Sequence, residues 1–159
     1  MNLQESIQKV ESHARGVMAE IKVQQTLWKY GYSVQKATVA NVVRTEMSMG
    51  RTTVPYDFFV DNKTRLEVKS SKLYTKKKYR GRWVFQTDDN EADVFAFVFW
   101  YPDGYCVIRY AKHDNLFAGK KKGLIPTFSF RSPDDPMLRK SPYDVFGKPL
   151  IHTKTHEGA

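Results

Sequence analysis

Apolar residues near the start of the chain recur at steps of three and four: Leu3, Ile7, Val10, Ala14, Val17, Ile21 and Trp28. This spacing predicts a helix over residues 3–30 with one apolar face. Gly16 interrupts the run, and Ser12 has the chemistry to cap a second helical piece beyond it. Gly31 stands where a C-terminal cap belongs. The period then changes. Tyr32–Val42 carries the β-branched and aromatic content of a strand, and Arg44–Thr53 reads as a polar loop around Gly50. Val54–Val60 and Thr64–Ser70 are strand candidates divided by Asp61-Asn62-Lys63, residues suited to a tight turn. A basic loop, Tyr74–Arg82, leads into a short strand at Trp83–Thr87. Val94–Tyr101 and Tyr105–Tyr110 flank Pro102-Asp103-Gly104, the clearest hairpin signal in the chain.

Beyond Ala111 the pattern weakens. Lys112–Ala118 predicts a short helix, and Gly119–Pro149, which holds five of the seven prolines, predicts an irregular course over the surface. Thr153–Ala159 has the composition of a loose tail. Helix first, then a run of strands, then smaller elements, gives an α/β (α+β) fold with a mixed central sheet. The expected organisation is one domain over residues 1–150 with 151–159 as a flexible tail.

Composition narrows the function. A chain with 41% hydrophobic residues is not disordered. No apolar run approaches the roughly 18 residues needed to span a bilayer, and the opening residues lack the layout of a secretion signal. Cys106 is the single cysteine, so no internal disulfide forms. It lies in an apolar run and reads as a small buried hydrophobe. The expectation is a cytoplasmic or nucleoid-associated, non-secreted protein without a membrane partner. Twenty-six Lys and Arg against seventeen Asp and Glu give a net charge of +9, which suits a polyanion such as nucleic acid.

The chemistry concentrates around the turn at residues 61–63. With its centre on Asn62, Asp57 lies opposite Glu67, and directly opposed strand residues hold Cβ atoms about 4.5–5.5 Å apart. Lys69 shares the face of Glu67, one step along the same strand. Two carboxylates in contact repel unless a cation joins them. An all-oxygen ligand set selects a hard ion, Mg²⁺ with Mn²⁺ as a substitute. Lys69 would then orient a water or stabilise charge on a phosphate.

Asp57 followed by Glu67-Val68-Lys69 in a hairpin resembles the PD-(D/E)XK nuclease superfamily. The context Arg15-Gly16-x-x-x-Glu20, Leu27 and Gly31-Tyr32 is similar to the opening helix of its Holliday-junction-resolvase-type members. The resemblance covers roughly residues 12–100. It implies a restriction-endonuclease-like mixed sheet flanked by helices, and metal-dependent phosphodiester hydrolysis. It also implies that Glu20 joins Asp57 and Glu67 as a metal ligand, direct or through water, that the Val68 carbonyl faces the metal, and that Lys69 is the catalytic lysine. The proline stands two residues before the aspartate, at Pro55, and the C-terminal third matches no family pattern.

Other features follow from the charge. Lys72, Lys76, Lys77, Lys78, Arg80 and Arg82, interleaved with Tyr74 and Tyr79, directly follow the candidate site and suit phosphate contact and stacking. Arg44 and Arg51 precede Asp57 and are candidates for the same groove. Gln86 is a possible supporting residue, or a structural hydrogen-bonding one. Asp93 is assigned no chemistry, and the four histidines form no zinc grouping. The reading is a Mg²⁺-dependent DNA endonuclease, structure-selective or site-specific, expected to act as a homodimer because two strands must be cut. RNA is not excluded as substrate. A nucleic-acid-binding module without turnover is the alternative, and an adaptor for acidic or phosphorylated peptides a weaker one.

Overall fold

The computed structural model describes residues 2–40, 56–87, 91–118 and 127–150. Helix α1 runs unbroken from Leu3 to Lys29, capped by the Asn2 side chain on the amide of Glu5 at 2.8 Å. Gly16 therefore does not divide it and Ser12 caps nothing. A glycine inside a helix costs about 1 kcal/mol relative to alanine but does not break it. At the other end Gly31 takes φ +96°, and the amides of Gly31 and Tyr32 return to the carbonyls of Trp28 and Leu27 at 3.0 Å each. These two bonds form a Schellman cap, which is why a glycine stands there.

The strands are β1 (Val34–Lys36), β2 (Phe58–Val60), β3 (Thr64–Lys72), β4 (Trp83–Gln86), β5 (Val94–Trp100), β6 (Cys106–Lys112) and β7 (Thr127–Phe130). Short helices α2 (His113–Phe117) and α3 (Tyr143–Phe146) and a 3₁₀ turn at Lys77–Tyr79 complete the described elements. A five-stranded mixed sheet has the order β1-β2-β3-β5-β6, with β3 and β5 parallel and the other neighbours antiparallel. β4 and β7 form a separate antiparallel ribbon.

Alternation along β5 divides the core. Val94, Ala96 and Val98 pack under α1 with Ala19, Val23, Leu27, Leu66, Val145 and Phe146. Phe95, Phe97 and Phe99 face the ribbon, against Trp83, Phe85, Phe128 and Phe130. One face of the sheet is thus covered by helices and the other mainly by the ribbon, a mixed central sheet with helices as the sequence predicts.

Several boundaries differ from expectation. The first strand spans only Val34–Lys36 of the expected Tyr32–Val42, and residues 41–42 lie outside the described residues, as do 54–55. β7 and α3 lie inside the proline-rich stretch read as irregular. Phe128 and Phe130 alternate with Thr127 and Ser129, so the period-two signal is present but short and surrounded by prolines. The helix after β6 and the β5–β6 hairpin match the sequence reading. Gly104 supplies the positive φ at the hairpin tip, and its amide returns to Tyr101 at 3.0 Å. Residues 151–159 lie outside the described residues.

The turn between β2 and β3 places Asp61 and Asn62 both at positive φ, 51° and 57°, the pattern of a type I′ hairpin turn. Asp61 is buried, and its carboxylate accepts from the amides of Ser33 at 2.8 Å and Leu150 at 3.0 Å. It thereby ties the hairpin to the α1–β1 connection and to the C-terminal segment. Asp61→Ala strands these amides, and an orphaned buried donor costs about 1–3 kcal/mol. We expect a loss near 2 kcal/mol, read as a fall of about 4–8 °C in thermal midpoint by circular dichroism.

Candidate active site

Asp57 immediately precedes β2, where its backbone is held from both sides. Its amide donates to the Leu66 carbonyl at 2.9 Å, and its carbonyl accepts from Ala37 at 2.8 Å. The observed register pairs Phe58 with Leu66, Phe59 with Arg65 and Val60 with Thr64. This is the pairing that the turn centred on Asn62 predicts. It ends at Leu66, so β3 runs on past the end of β2 and the two chains separate.

The Asp57 carboxylate fills the separation. Its Oδ2 accepts from the Val68 amide at 2.8 Å. In a strand the N–H and C=O of one residue point to the same side, so the Val68 carbonyl shares the edge that Asp57 occupies. The Glu67 and Asp57 carboxyl groups hydrogen-bond each other. Lys69 Nζ stands 3.4 Å from Glu67 Oε2. In the sheet Glu67 and Lys69 register with Phe95 and Phe97, so both belong to the face under the ribbon.

The electrostatics follow from this packing. Burial first, then the hydrogen bond to Asp57 and its charge, push the Glu67 carboxyl up to about 8, against the opposing pull of Lys69. A carboxylic acid that holds its proton near neutrality, beside a second carboxyl and a lysine, has the electrostatics that suit binding a cation or moving a proton.

Glu20 lies elsewhere. It extends from α1, which covers the opposite face, and its Oε1 is 2.8 Å from Lys36 Nζ. Among the described residues no three His, Cys, Asp or Glu side chains group closely enough to hold a metal ion. The structure therefore brings together Asp57, Glu67 and Lys69, and engages Glu20 with Lys36 instead. Lys36 was missed by sequence reasoning. It pairs in register with Phe58 and lies over that ring, 5.5 Å from its centroid. Its ammonium is raised in pKa chiefly by the hydrogen bond to Glu20, opposed by burial and supported by the charges of Glu20 and Asp57. A single lysine thus links Glu20 electrostatically to Asp57. No local motif signals this, because it depends on the β1–β2 pairing and on where α1 crosses the sheet.

The basic loop is shaped by its own contacts. Tyr74 and Arg82 are joined backbone to backbone at 2.9 Å, and the Tyr74 and Tyr79 rings meet edge to face at 5.9 Å. Lys72, Lys76, Lys77, Lys78 and Arg80 are exposed around this closure. Arg82 is half-buried and donates to Ser129 Oγ on β7 at 3.1 Å, so it fastens the loop to the ribbon. Gln86 is exposed at the end of β4, and alternation places it opposite Phe85, whose ring packs on Phe97 and Phe99. It therefore points away from the sheet that carries Glu67. Arg44 and Arg51 lie outside the described residues.

Asp93 has a structural part. Arg65 grips it with two side-chain bonds, Nε at 3.1 Å and NH2 at 2.8 Å, and its own amide at 2.8 Å. Burial raises the Asp93 carboxyl, but these bonds and the charges of Arg65 and His113 outweigh it and hold the group low. Cys106 is half-buried beside the α1-facing core, and burial pushes its thiol up against the opposing charge of Lys22. That suits a packing residue rather than a nucleophile. No helix among the described residues is long and apolar enough to cross a membrane.

No family model matches the chain, and no curated protein matches it. Among solved structures, the bacterial homing endonuclease I-Ssp6803I aligns at 18% identity over 92% of this chain and 94% of that one, with a TM-score of 0.48.

Proposed function

We propose that this chain is a divalent-metal-dependent DNA endonuclease of the PD-(D/E)XK type. The observation that carries the reading is the meeting of Asp57, Glu67 and Lys69 where β2 and β3 separate, with the Glu67 carboxyl raised to about 8.

The donor set fits a hard cation. Asp57 and Glu67 offer carboxylate oxygens, and the Val68 carbonyl lies on the same strand edge. These three groups would hold Mg²⁺ or Mn²⁺, which when bound polarises a phosphoryl oxygen and acidifies a water. Glu67 would release its proton to solvent when a cation binds, and Lys69 would be left to hydrogen-bond the attacking water or the charge growing on the phosphate. Glu20 acts through Lys36, whose ammonium bonds Glu20 and feels the charge of Asp57, and so serves as a positioning residue rather than a ligand.

The net charge of +9 and the exposed lysines beside the site support DNA as the substrate. Cleavage of plasmid and of four-way junctions in Mg²⁺ or Mn²⁺ tests the proposal. Preference for junctions of any sequence marks a resolvase, whereas preference for one duplex sequence marks a site-specific enzyme. Tight, salt-sensitive binding with no cleavage in either metal would leave a binding module.

The loop has its own test. Lys76, Lys77 and Lys78 carry no ion pair among the described residues in which an acidic partner offsets them, and each phosphate contact contributes about 0.9 to the slope of log affinity against log salt. The triple alanine variant should weaken DNA binding for all sequences alike and lower that slope by about 2–3. An unchanged slope in fluorescence anisotropy would remove the loop from the interface.

A further inference from the structure

The apolar stripe that announces α1 is not the face that α1 buries. The helix packs on the sheet through Ala19, Val23 and Leu27, each 0% exposed. Leu3, Ile7, Val10, Ala14, Val17, Ile21 and Trp28 lie nearly opposite on the helix, at about 100° per residue. They stay in solvent, with Leu3 76%, Val10 69% and Trp28 52% exposed. These residues fall into two interleaved series with a seven-residue repeat. Ile7, Ala14, Ile21 and Trp28 form one, and Leu3, Val10 and Val17 the other, with Gln24 completing it. A 3.5-residue period held over the whole length of a helix is the seam of a coiled coil.

We propose that this seam is a self-association surface, and that its occupant is α1 of a second copy of the chain. The period itself argues for a copy, because a helix with a 3.5-residue seam is filled by another helix with the same seam. A two-fold axis supplies one without further design. The packing argues for an occupant of some kind. Over its first three turns α1 is exposed all round except at Ser6, so its own domain does little to hold it. Helical segments of about 12–15 residues are marginal without tertiary support.

The area is sufficient. A 27-residue helix is about 40 Å long and 10 Å wide, so each copy presents about 400 Å² in plan. Interdigitating side chains and the flanking Gln4, Glu11, Met18 and Gln25 add to that. The contact then enters the lower range of specific interfaces, about 1,200 Å² in total. The charge argues against a lipid surface. Lys9, Arg15, Lys22 and Lys29 are nearly balanced by Glu5, Glu11 and Glu20, whereas helices that lie on membranes are rich in Lys and Arg.

The proposal does not rest on the nuclease reading, because its test needs neither DNA nor metal. Sedimentation equilibrium of the full chain at micromolar concentrations should give a species of twice 18.5 kDa. Val10→Glu combined with Val17→Glu should return it to a monomer whose thermal melt stays cooperative and no longer depends on protein concentration, since neither residue touches the domain core. Ala14→Leu, which adds apolar volume at a seam position, should tighten the dimer by about tenfold, an effect that misfolding cannot imitate. A wild-type monomer at every concentration overturns the proposal, as does a dimer indifferent to both glutamates. Solution monomers that co-sediment with anionic vesicles through the same residues would assign the seam to lipid and overturn it equally.

Discussion

Asp57→Asn and Lys69→Met are each expected to lower metal-dependent DNA cleavage by at least ~10²-fold while leaving DNA affinity within about twofold. The two variants act on different steps. Asp57→Asn keeps the shape of the side chain and an oxygen for the Val68 amide, which the carboxylate accepts at 2.8 Å. It removes one of the two charges that would hold the cation, so its loss should be partly recovered at raised Mn²⁺ concentration. Lys69→Met keeps the aliphatic stem packed under the ribbon and removes only the ammonium that stands 3.4 Å from Glu67. Its loss belongs to the chemical step, and added metal should not restore it. Single-turnover cleavage over a metal titration separates the two. Wild-type rates in both variants would end the assignment of this site, whatever the protein does to DNA by other means.

The second large effect is on stability, and Glu67 carries it. In the folded chain its carboxyl is raised from 4.5 to about 8 by burial and by Asp57. Between those values the folded state holds a proton that the unfolded state has released. This contribution is therefore fully present below about pH 4.5 and is lost as pH rises through about 8. A tenfold change in proton affinity is worth about 1.4 kcal/mol, so the part of the window above pH 5 amounts to on the order of 4 kcal/mol. Without metal, the thermal midpoint should therefore fall by roughly 8–16 °C more in wild type than in Glu67→Gln between pH 5 and pH 9. Mg²⁺ should reverse the trend, because a cation favours the ionised pair. Its stabilisation should be larger at pH 8 than at pH 6. Superimposable pH curves for wild type and Glu67→Gln would mean that the two carboxyls share no proton, and the electrostatic basis of the site would be gone.

The pattern of residues determined much of this molecule by itself. Local interactions decide helix limits, tight turns and the strands they connect. Gly31 closing α1, the turn at residues 61–63 and Pro102-Asp103-Gly104 are all legible, because each needs only the conformational preference of the residue in place. The turn in turn determines a register, which brings Asp57 to the end of β2 beside Glu67, with Lys69 one step along. That much of the candidate site is written within thirteen consecutive residues.

What depends on the packing of distant segments could be decided only by the tertiary structure. Periodicity shows that α1 has an apolar stripe but not what covers it, and the sheet takes Ala19, Val23 and Leu27 instead. The destination of Glu20 depends on where the helix crosses β1, and Lys36 meets it there at 2.8 Å. Arg82 and Gln86 are drawn to the ribbon because β4 pairs with β7, a partner more than forty residues away and among prolines. A helix or a turn is selected by its own residues. The face it buries and the charge it meets are selected by whichever surfaces the rest of the chain brings to it.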